Sequence, residues 1–297
     1  MNIFIGVPVY SIKGIVVMRK LKKDEFNNIV QLLNVEKVHY TFAYSVAEGK
    51  QPGRIFTDNP VEPKCCLLTC KSGKYLVAGC TSNIGFNEFL KVFLLHKENH
   101  GNYFDIYSSS KEWVFKLDEI LGDNAAKLSR QVFSWDHESL SVISKWSESL
   151  PSGFELRKMD GVLFQKYAKE MDSSYIDLWE TEDNFLSNGF GFCVLKDGDF
   201  VSVCNTYYVR QGYAEIDIVT KSEYRQQGFA LATCAEFIKY CVSNNIEPVW
   251  DCDNGNENSK NLAKKLGFES VETYEMHWWH KNKAFVEEYL KKYQYTV

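Results

Sequence analysis

Apolar and polar residues alternate along the first half of the chain in patterns typical of short helices and strands. Apolar side chains recur at helical spacing over residues 22–34, which predicts an amphipathic helix. Two apolar runs, 65–70 and 75–82, flank a Lys-Ser-Gly-Lys turn and predict a β-hairpin. The same patterns predict a strand over 103–107 and helices over 111–121 and 124–134.

The second half alternates strands and helices more regularly. The patterns predict strands over 154–159, 190–196, 200–209, 213–220, 247–252 and 269–279, and helices over 161–171, 176–187, 228–243 and 257–266. Such alternation indicates an α/β or α+β fold in which helices cover a sheet.

A length of 297 residues corresponds to about two domains of ordinary size. The segment 147–153 is small and polar and contains Pro and Gly, so we place a boundary there, with domains at 1–150 and 151–297. The first half repeats a hairpin, a strand and a helix in an order similar to that of the second. This similar order leaves a degenerate duplication open as an alternative, although no repeat is visible residue by residue.

The first residues admit several interpretations. Ile3 to Met18 is apolar, but it contains Pro8 and Gly14 and lacks the basic leader and cleavage site of a signal peptide. Residues 1–17 are then a strand pair, a poorly ordered arm, or residues ahead of a true start at Met18. No other run reaches the roughly 18 apolar residues of a membrane span, so we expect a cytoplasmic protein with no membrane partner.

Charge and composition exclude some classes of function. Asp and Glu (39) outnumber Lys and Arg (34), which gives a net charge of −5 and a pI near 5.8. Nucleic-acid binders carry a basic excess, so we expect no nucleic-acid partner. Aromatic residues make up 15% of the chain, enough to line a cleft or fill a core.

The nine cysteines follow no disulfide or metal-binding pattern. Their number is odd, no Cys-x-x-Cys pair occurs, and most lie within apolar runs, which is typical of buried free thiols in a reducing compartment. The six histidines show no ligand spacing with them, so we predict no metal site.

The segment 213–230 has the features of a phosphate-binding turn. The predicted strand ends at Thr220, and Gly228 begins a helix. Unpaired N–H groups and the positive end of the helix dipole favour an anion at such a turn. Gly228 and Ala230 leave the amides accessible, and Arg225 adds a charged donor.

Residues 225–230 resemble the R/Q-x-x-G-x-G/A pyrophosphate loop of the GNAT superfamily of N-acetyltransferases. The segment 256–268 is similar to the second signature of that family, and the order of predicted elements over 154–279 matches its domain. The resemblance implies a mixed, mainly antiparallel GNAT-type sheet flanked by helices. The Trp-Asp-Cys sequence before the second signature and the additional N-terminal half resemble a bacterial subgroup.

The resemblance further implies an enzyme that uses acetyl-CoA as acyl donor for direct transfer to an amine, without a metal. The backbone of Ile218, Val219 and Thr220 would pair with the pantetheine arm as an added strand. Asn256 and Ser259 would lie near the pantetheine or the thioester. For Ser259, and for the neighbouring Asn258, helix capping is the equal alternative. The pyrophosphate would bind Arg225, Gln226, Gln227, Gly228, Phe229 and Ala230.

Amine acetylation needs a base for the amine and an acid for the leaving thiolate. Strand alternation places Glu215 and Asp217 on one face and Ala214 and Ile216 on the other. The family often carries its catalytic Glu on this strand, so we take Glu215 as the first candidate base and Asp217 as the second. A solvated or structural carboxylate is the alternative.

The residue that protonates the leaving thiolate is harder to assign than the base. Many family members carry a Tyr four residues before the Gly of the Lys-Leu-Gly-Phe sequence, where this chain has Ala263. Tyr274 on the last strand, or Cys252, are the substitutes, although either side chain fits a core position equally well.

The sequence thus predicts an N-acetyltransferase that acts on a primary amine of a small molecule or peptide, as a monomer or homodimer. A protein Lys stays open as acceptor. Ala263 favours one alternative, a non-catalytic CoA-binding regulatory module. The others are an aminoacyl or peptidyl transferase of the double-GNAT type, which would need a basic groove, and an interaction protein that keeps only the fold.

Overall fold

The structure, a computed structural model, describes residues 9–12, 15–33, 37–147 and 150–295. Its strands are β1 Val9–Ile12, β2 Ile15–Lys20, β3 Gly53–Thr57, β4 Cys65–Cys70, β5 Lys74–Gly79, β6 Tyr103–Ser108, β7 Ala126–Trp135, β8 Phe154–Lys158, β9 Gly191–Lys196, β10 Asp199–Arg210, β11 Tyr213–Thr220, β12 Glu247–Asp253 and β13 Phe268–His280.

Its α-helices are α1 Thr41–Ala47, α2 Ile84–Leu95, α3 Lys111–Leu121, α4 Leu140–Ser147, α5 Gly161–Glu170, α6 Ser174–Trp179, α7 Glu182–Asn188, α8 Phe229–Ser243, α9 Glu257–Lys265 and α10 Lys283–Lys292. A 3₁₀ helix covers Lys23–Leu32. Within the described part of the chain, none of these helices has the length and apolarity needed to cross a membrane.

The chain forms two compact units, which comprise the described residues of 1–129 with 275–297 (unit 1) and of 130–274 (unit 2). This division differs from the domains predicted at 1–150 and 151–297. Residues 130–147 belong to unit 2 because Phe133 and Ile143 are buried in its core. Burial of these apolar side chains places them in unit 2, although the polar segment that follows them is typical of a domain boundary.

In unit 2 the strands follow the order β8-β9-β10-β11-β12-β7. All neighbouring pairs are antiparallel except β11 and β12, which run parallel. Helix α8 packs on one face of this sheet. The core on that face is built from apolar side chains of the strands and of α8, among them Ala214, Ile216, Cys234, Phe237 and Ile238.

In unit 1 the strands β1 to β6 follow one another in chain order, with residues 275–280 of β13 beside β6. Here too one pair, β5 and β6, is parallel, while the other pairs are antiparallel. The order strand, helical segments, three antiparallel strands, helix, parallel strand and helix is the same in the two units. Unit 1 is therefore a degenerate relative of unit 2 in topology.

The strands and helices predicted for the second half lie within one residue of their observed ends, with one exception. The helix predicted over 176–187 is two helices, α6 and α7. The chain breaks at Glu180, which has φ of +61°, and Thr181 then caps α7 by accepting a hydrogen bond from Asn184 N. A new cap with its own hydrogen bond ends one helix and starts another.

In the first half, one predicted element is wrong. Residues 124–134 were expected to be helical, whereas 126–135 form strand β7. Two of its buried side chains, Val132 and Phe133, have high strand propensity, and Arg130 to Phe133 pair with β12. Pairing with a strand more than 100 residues away decides this conformation.

The other predicted elements of the first half are present. The strands 65–70 and 103–108 and the helix 111–121 agree with the prediction, whereas the second strand of the hairpin covers 74–79 and ends three residues before the predicted 82. The helix predicted over 22–34 is the 3₁₀ helix Lys23–Leu32. The strand pair considered for the N-terminus is present as β1 and β2; residues 1–8 and 13–14 lie outside the described residues.

Candidate active site

Strands β11 and β12 pair over only part of their length. The last paired residues are Glu215 and Val249, although β11 continues to Thr220. The other edge of β11 remains paired with β10 as far as Thr220 opposite Ser202. Residues 216–220 therefore present a backbone edge that is not paired with β12 in the described structure. This edge includes Ile218, Val219 and Thr220 and is suited to accept an extended ligand as an added strand.

The turn after β11 has a backbone conformation that favours glycine. Gly228 has φ of +88°, and Gln226 also lies in the left-handed region at +62°. A Cβ on Gly228 would meet no atom within 4 Å. Glycine is thus favoured here by its backbone angle, and the space beside it is open to a ligand.

This open space lies at the start of helix α8. Gly228 is the N-cap residue, and no side chain of the described residues caps the helix there. The first N–H groups of a helix have no acceptor within the helix, so those of α8 are available to an anion at this end, where the positive end of the helix dipole also lies. Arg225, Gln226 and Gln227 are exposed around it. These residues fit a pyrophosphate group.

Two side chains hold this loop in place. Nε of Arg225 donates a hydrogen bond of 3.2 Å to the backbone oxygen of Thr220, which sets a cation at the junction of strand and loop. Phe229 is buried and its ring centroid lies 4.6 Å from that of Phe154 and 5.9 Å from that of Tyr224. Phe229 thus anchors the start of α8, while Ala230 follows it half-buried.

Unit 1 contains a loop at the equivalent point, between β5 and α2, with a different structure. The side chain of Asn83 caps α2 by accepting a hydrogen bond of 3.0 Å from Phe86 N. Strand β5 is paired with β6 through Val77, two residues before β5 ends at Gly79. The loop in unit 1 therefore lacks both features seen in unit 2, the uncapped helix start and the long unpaired strand edge, so the candidate site is assigned to unit 2.

Asn256 and Ser259 have structural partners in α9. Oδ1 of Asn256 accepts a hydrogen bond of 3.2 Å from Ser259 N, which makes Asn256 the N-cap. Oγ of Ser259 accepts a hydrogen bond of 3.1 Å from Nε1 of Trp250. The cap of α9 is therefore Asn256, and not Ser259 or Asn258 as considered from the sequence, while a ligand contact for Asn256 and Ser259 stays a prediction.

Glu215 and Asp217 lie on the face of β11 opposite to α8, since Ala214 and Ile216 are in the core beneath α8. The Glu215 side chain is buried, whereas Asp217 is half-buried. The hydroxyl of Tyr175 on α6 donates a hydrogen bond of 2.6 Å to Oδ2 of Asp217. The predicted facing of the two carboxylates agrees with this arrangement.

Tyr175 was not singled out in the sequence analysis. It is fully buried, and burial together with the neighbouring Asp217 raises its pKa well above the usual value, so it stays a hydrogen-bond donor. No local motif marks it, because its partner lies 42 residues away on another element.

Asn205 was also missed. It lies on β10 directly opposite Asp217, and both polar atoms of its carboxamide are buried without a hydrogen-bond partner among the described residues. On the other side it faces Gly191, where any Cβ would come within 1.9 Å of Asn205 Oδ1. Gly191 therefore makes room for a polar side chain in this face of the sheet.

Tyr274 contacts a buried ion pair. Its hydroxyl donates to Oδ2 of Asp251, whose Oδ1 accepts a hydrogen bond of 2.7 Å from Nε of Arg130. The Asp251 side chain is buried. Because Asp251 follows Val249 by two residues, it lies on the same face of the sheet as Glu215, at the point where β12 separates from β11.

Cys252, the other candidate acid, is in the core. It is packed with Trp250 and Phe268 on the opposite face from Asp251, and burial raises its pKa. All nine cysteines are free, and eight of them are buried. Among the described residues, no group of three or more His, Cys, Asp or Glu side chains is arranged to hold a metal ion.

Comparison with known proteins agrees with these features. The sequence model of the family described as GNAT acetyltransferase matches residues 32–277, which covers all of unit 2 and most of unit 1. An uncharacterised N-acetyltransferase of Bacillus subtilis (strain 168), YdfB, is 32% identical over 262 residues, covering 88% of this chain and 98% of that protein. The chain therefore belongs to the GNAT acetyltransferase family and is an N-acetyltransferase.

Solved structures show the same fold at lower identity. A GCN5-related N-acetyltransferase-like protein from Streptococcus suis 89/1591 matches with a TM-score of 0.69 and 22% identity, covering 86% of this chain and 99% of that one. A tandem GNAT protein from the clavulanic acid biosynthesis pathway matches with a TM-score of 0.62 and 10% identity, covering 89% and 98%. The second likeness agrees with the repeated topology of the two units.

Proposed function

We propose that this chain transfers the acetyl group of acetyl-CoA to a primary amine of a small molecule or peptide, and that unit 2 carries the site. One observation supports this most strongly. The helix α8 begins without a side-chain cap behind Gly228, at the end of a strand whose edge separates from its neighbour. Together these features suit a ligand with an anionic group at one end and an extended arm at the other.

The donor would lie along β11. Its pyrophosphate would accept hydrogen bonds from the N–H groups of residues 226–230 and from the side chain of Arg225, whose own N–H donates to the backbone oxygen of Ser222. Its pantetheine arm would pair with the backbone of residues 218–220. Arg225 is suited to neutralise a phosphate because its side chain already lies at the junction of loop and strand. In this arrangement the pyrophosphate would occupy the open space beside Gly228.

We assign the base to Glu215, with Asp217 as the second candidate. The base takes a proton from the acceptor amine as its nitrogen attacks the acetyl carbonyl carbon, and the C–S bond then breaks. Glu215 is buried at the last position where β11 and β12 are paired, and therefore at the apex of the gap between the strands. Asp217 lies two residues further along the same face, with Tyr175 as its donor.

We assign the acid to Tyr274, which would give its proton to the departing thiolate. The contacts that support this are the hydroxyl's bond to Asp251 and the position of Asp251 beside the gap. Ala263, at the position where many family members carry a tyrosine, is fully buried and offers no hydroxyl. Cys252 is a poorer candidate because it is in the core on the opposite face.

We also infer that the enzyme works in a reducing compartment such as the cytoplasm. Its cysteines are free and mostly buried, and burial raises the pKa of Cys66 and Cys193 to about 12. Thiols that stay protonated in a core are structural side chains and need no oxidising environment.

The test is release of free thiol from acetyl-CoA by the purified protein in the presence of a panel of primary amines, with acetylated amine identified by mass spectrometry. Amine-dependent turnover is the expected result, and Tyr274→Phe should lower kcat more than it raises KM for acetyl-CoA. Binding of acetyl-CoA without turnover on any amine would instead favour the regulatory module, and absence of binding would favour a protein that retains only the fold.

A further inference from the structure

Three hydroxyl groups, two of them fully buried, connect the elements that form the proposed donor site in unit 2. Oγ of Ser202 on β10 lies 2.8 Å from Oγ1 of Thr220 and 3.0 Å from Oγ1 of Thr233. Thr220 ends β11, and Thr233 is in the second turn of α8. The Ser202 and Thr233 side chains are both fully buried. One serine thus contacts both the strand and the helix of the site.

The protons of this cluster can be arranged so that every hydroxyl donates once. Thr220 donates to Ser202, Ser202 donates to Thr233, and Thr233 donates to the backbone oxygen of Phe229 at 3.1 Å. Phe229 is the first residue of α8. The chain of bonds therefore runs from the end of β11 to the first turn of α8, where the phosphate-binding N–H groups lie.

The local structure brings Ser202 to this position. The register between β9 and β10 shifts between Phe200 and Ser202, so Val201 is an additional residue in β10. Val201 packs with Phe229, and Ser202 faces the same helix. Fully satisfied buried polar networks fix one geometry more strongly than apolar contacts, which can slide.

We propose that Ser202 is a positioning residue for the acyl donor. Its hydroxyl fixes the distance between the edge of β11 that takes the pantetheine arm and the start of α8 that takes the pyrophosphate. This inference rests on the proposed function, since it assigns those two parts of the site to the two ends of one ligand. Ser202 itself contacts neither end.

The test compares CoA, which spans both parts of the site, with ADP, which offers only the pyrophosphate end. The affinity of CoA is measured by calorimetry, and that of ADP by competition against CoA. In Ser202→Ala we expect CoA to bind at least about fivefold more weakly, while the affinity of ADP changes less than twofold. Thr233→Val should behave in the same way, and Thr233→Ser, which keeps the hydroxyl, should restore wild-type affinity for CoA.

Thr206→Val is the matched control. Thr206 is fully buried on the same strand, but its hydroxyl forms hydrogen bonds with the backbone of Phe190 and, among the described residues, with no group of β11 or α8. It should lower the thermal midpoint without changing the ratio of CoA to ADP affinity.

Different results would overturn the positioning role of Ser202 and the donor site itself. Unchanged CoA affinity in Ser202→Ala and Thr233→Val, or an equal loss for CoA and ADP in step with the thermal midpoint, would overturn the positioning role alone. Absence of CoA binding by the wild-type protein would overturn the donor site and, with it, this inference.

Discussion

The hydroxyl of Tyr175 donates a hydrogen bond of 2.6 Å to Oδ2 of Asp217, which joins α6 to the strand β11 of the candidate active site. Tyr175 is fully buried, and Asp217 lies two residues from Glu215 on the same face. The contact therefore holds the helix over the face that carries both candidate bases. It is a charge-assisted bond, and such bonds are stronger than neutral ones.

Tyr175→Phe should lower the free energy of unfolding by about 1.5–3 kcal/mol, because the Asp217 carboxylate loses a buried donor. Urea denaturation followed by fluorescence measures the change. Tyr240→Phe is the control: this half-buried tyrosine packs against Phe190 through its ring, and its change should stay within about 0.5 kcal/mol. Equal losses in the two variants would contradict the importance of the bond.

Asn205→Leu should stabilise the protein by about 1 kcal/mol. Both polar atoms of the Asn205 carboxamide are buried without a partner among the described residues, and leucine has the same number of side-chain atoms without that penalty. Thermal unfolding checks the direction. Asn83→Leu should have the opposite effect, since Asn83 caps α2 and donates to Asp58. A lower midpoint for Asn205→Leu would mean that crowding against Gly191 outweighs the relief.

Glu215→Gln should lower kcat by about 10²–10⁴, because the amide cannot accept the proton of the amine. The affinity for acetyl-CoA should not change, since the variant keeps the shape of the buried side chain. Steady-state kinetics across pH, with calorimetry for affinity, separates the two effects. Glu236→Gln on α8, away from the site, serves as the control. Unaltered kcat for Glu215→Gln would move the assignment to Asp217.

His277 should make the protein less stable on acidification. It is buried in unit 1, where Nε2 contacts Oδ1 of Asp118 at 2.8 Å, and Lys127 and Glu275 lie nearby. Burial lowers the pKa of His277 below its ordinary value of 6.5, although Asp118 acts in the other direction. On acidification the unfolded chain therefore binds a proton at a higher pH than the folded chain does. The free energy of unfolding then falls as the pH drops below 6.5.

Asp118 adds to this effect at lower pH. Burial alone would raise its pKa, but hydrogen bonds from His277 and Lys127 outweigh burial and lower the pKa, so its contribution is lost as pH falls through the acidic range. Denaturation between pH 7.5 and 5.5 should show a smaller slope in His277→Gln than in the wild type.

The sequence predicts the strand, the turn and the helix start of the proposed donor site because the determinants of these elements are local. A strand, a turn with Gly228 and the first residues of a helix are contiguous, and the alternation of β11 correctly separates Glu215 from Ala214. Tyr175 and Asn205 escape such reasoning, because each meets Asp217 only through the tertiary fold. The predicted boundary near residue 150 differs from the observed division for the same reason, because core contacts rather than local composition assign Ile143 to unit 2.

Strand β7 illustrates the limit most clearly. Residues 126–135 have an apolar pattern compatible with a helix, yet Arg130 pairs with Asp253 in the sheet and its side chain binds Asp251. Only a partner strand distant in sequence distinguishes these two conformations. The position of the acid candidate Tyr274 also depends on a contact between residues distant in sequence, because its hydroxyl donates a hydrogen bond to Asp251.

Calorimetric titration with acetyl-CoA and with desulfo-CoA tests the central claim most directly, on the wild-type protein and two variants. Gly228→Trp puts a large side chain into the open space before α8, whereas Gly198→Trp changes a glycine with a similar φ of +84° and equal open space in the turn between β9 and β10. Both should cost about 1–2 kcal/mol of stability from backbone strain.

We expect micromolar binding of both ligands to the wild type and to Gly198→Trp, and no binding to Gly228→Trp. Binding that survives in Gly228→Trp, or that is lost equally in the two variants, would contradict the assignment of the donor site to the start of α8.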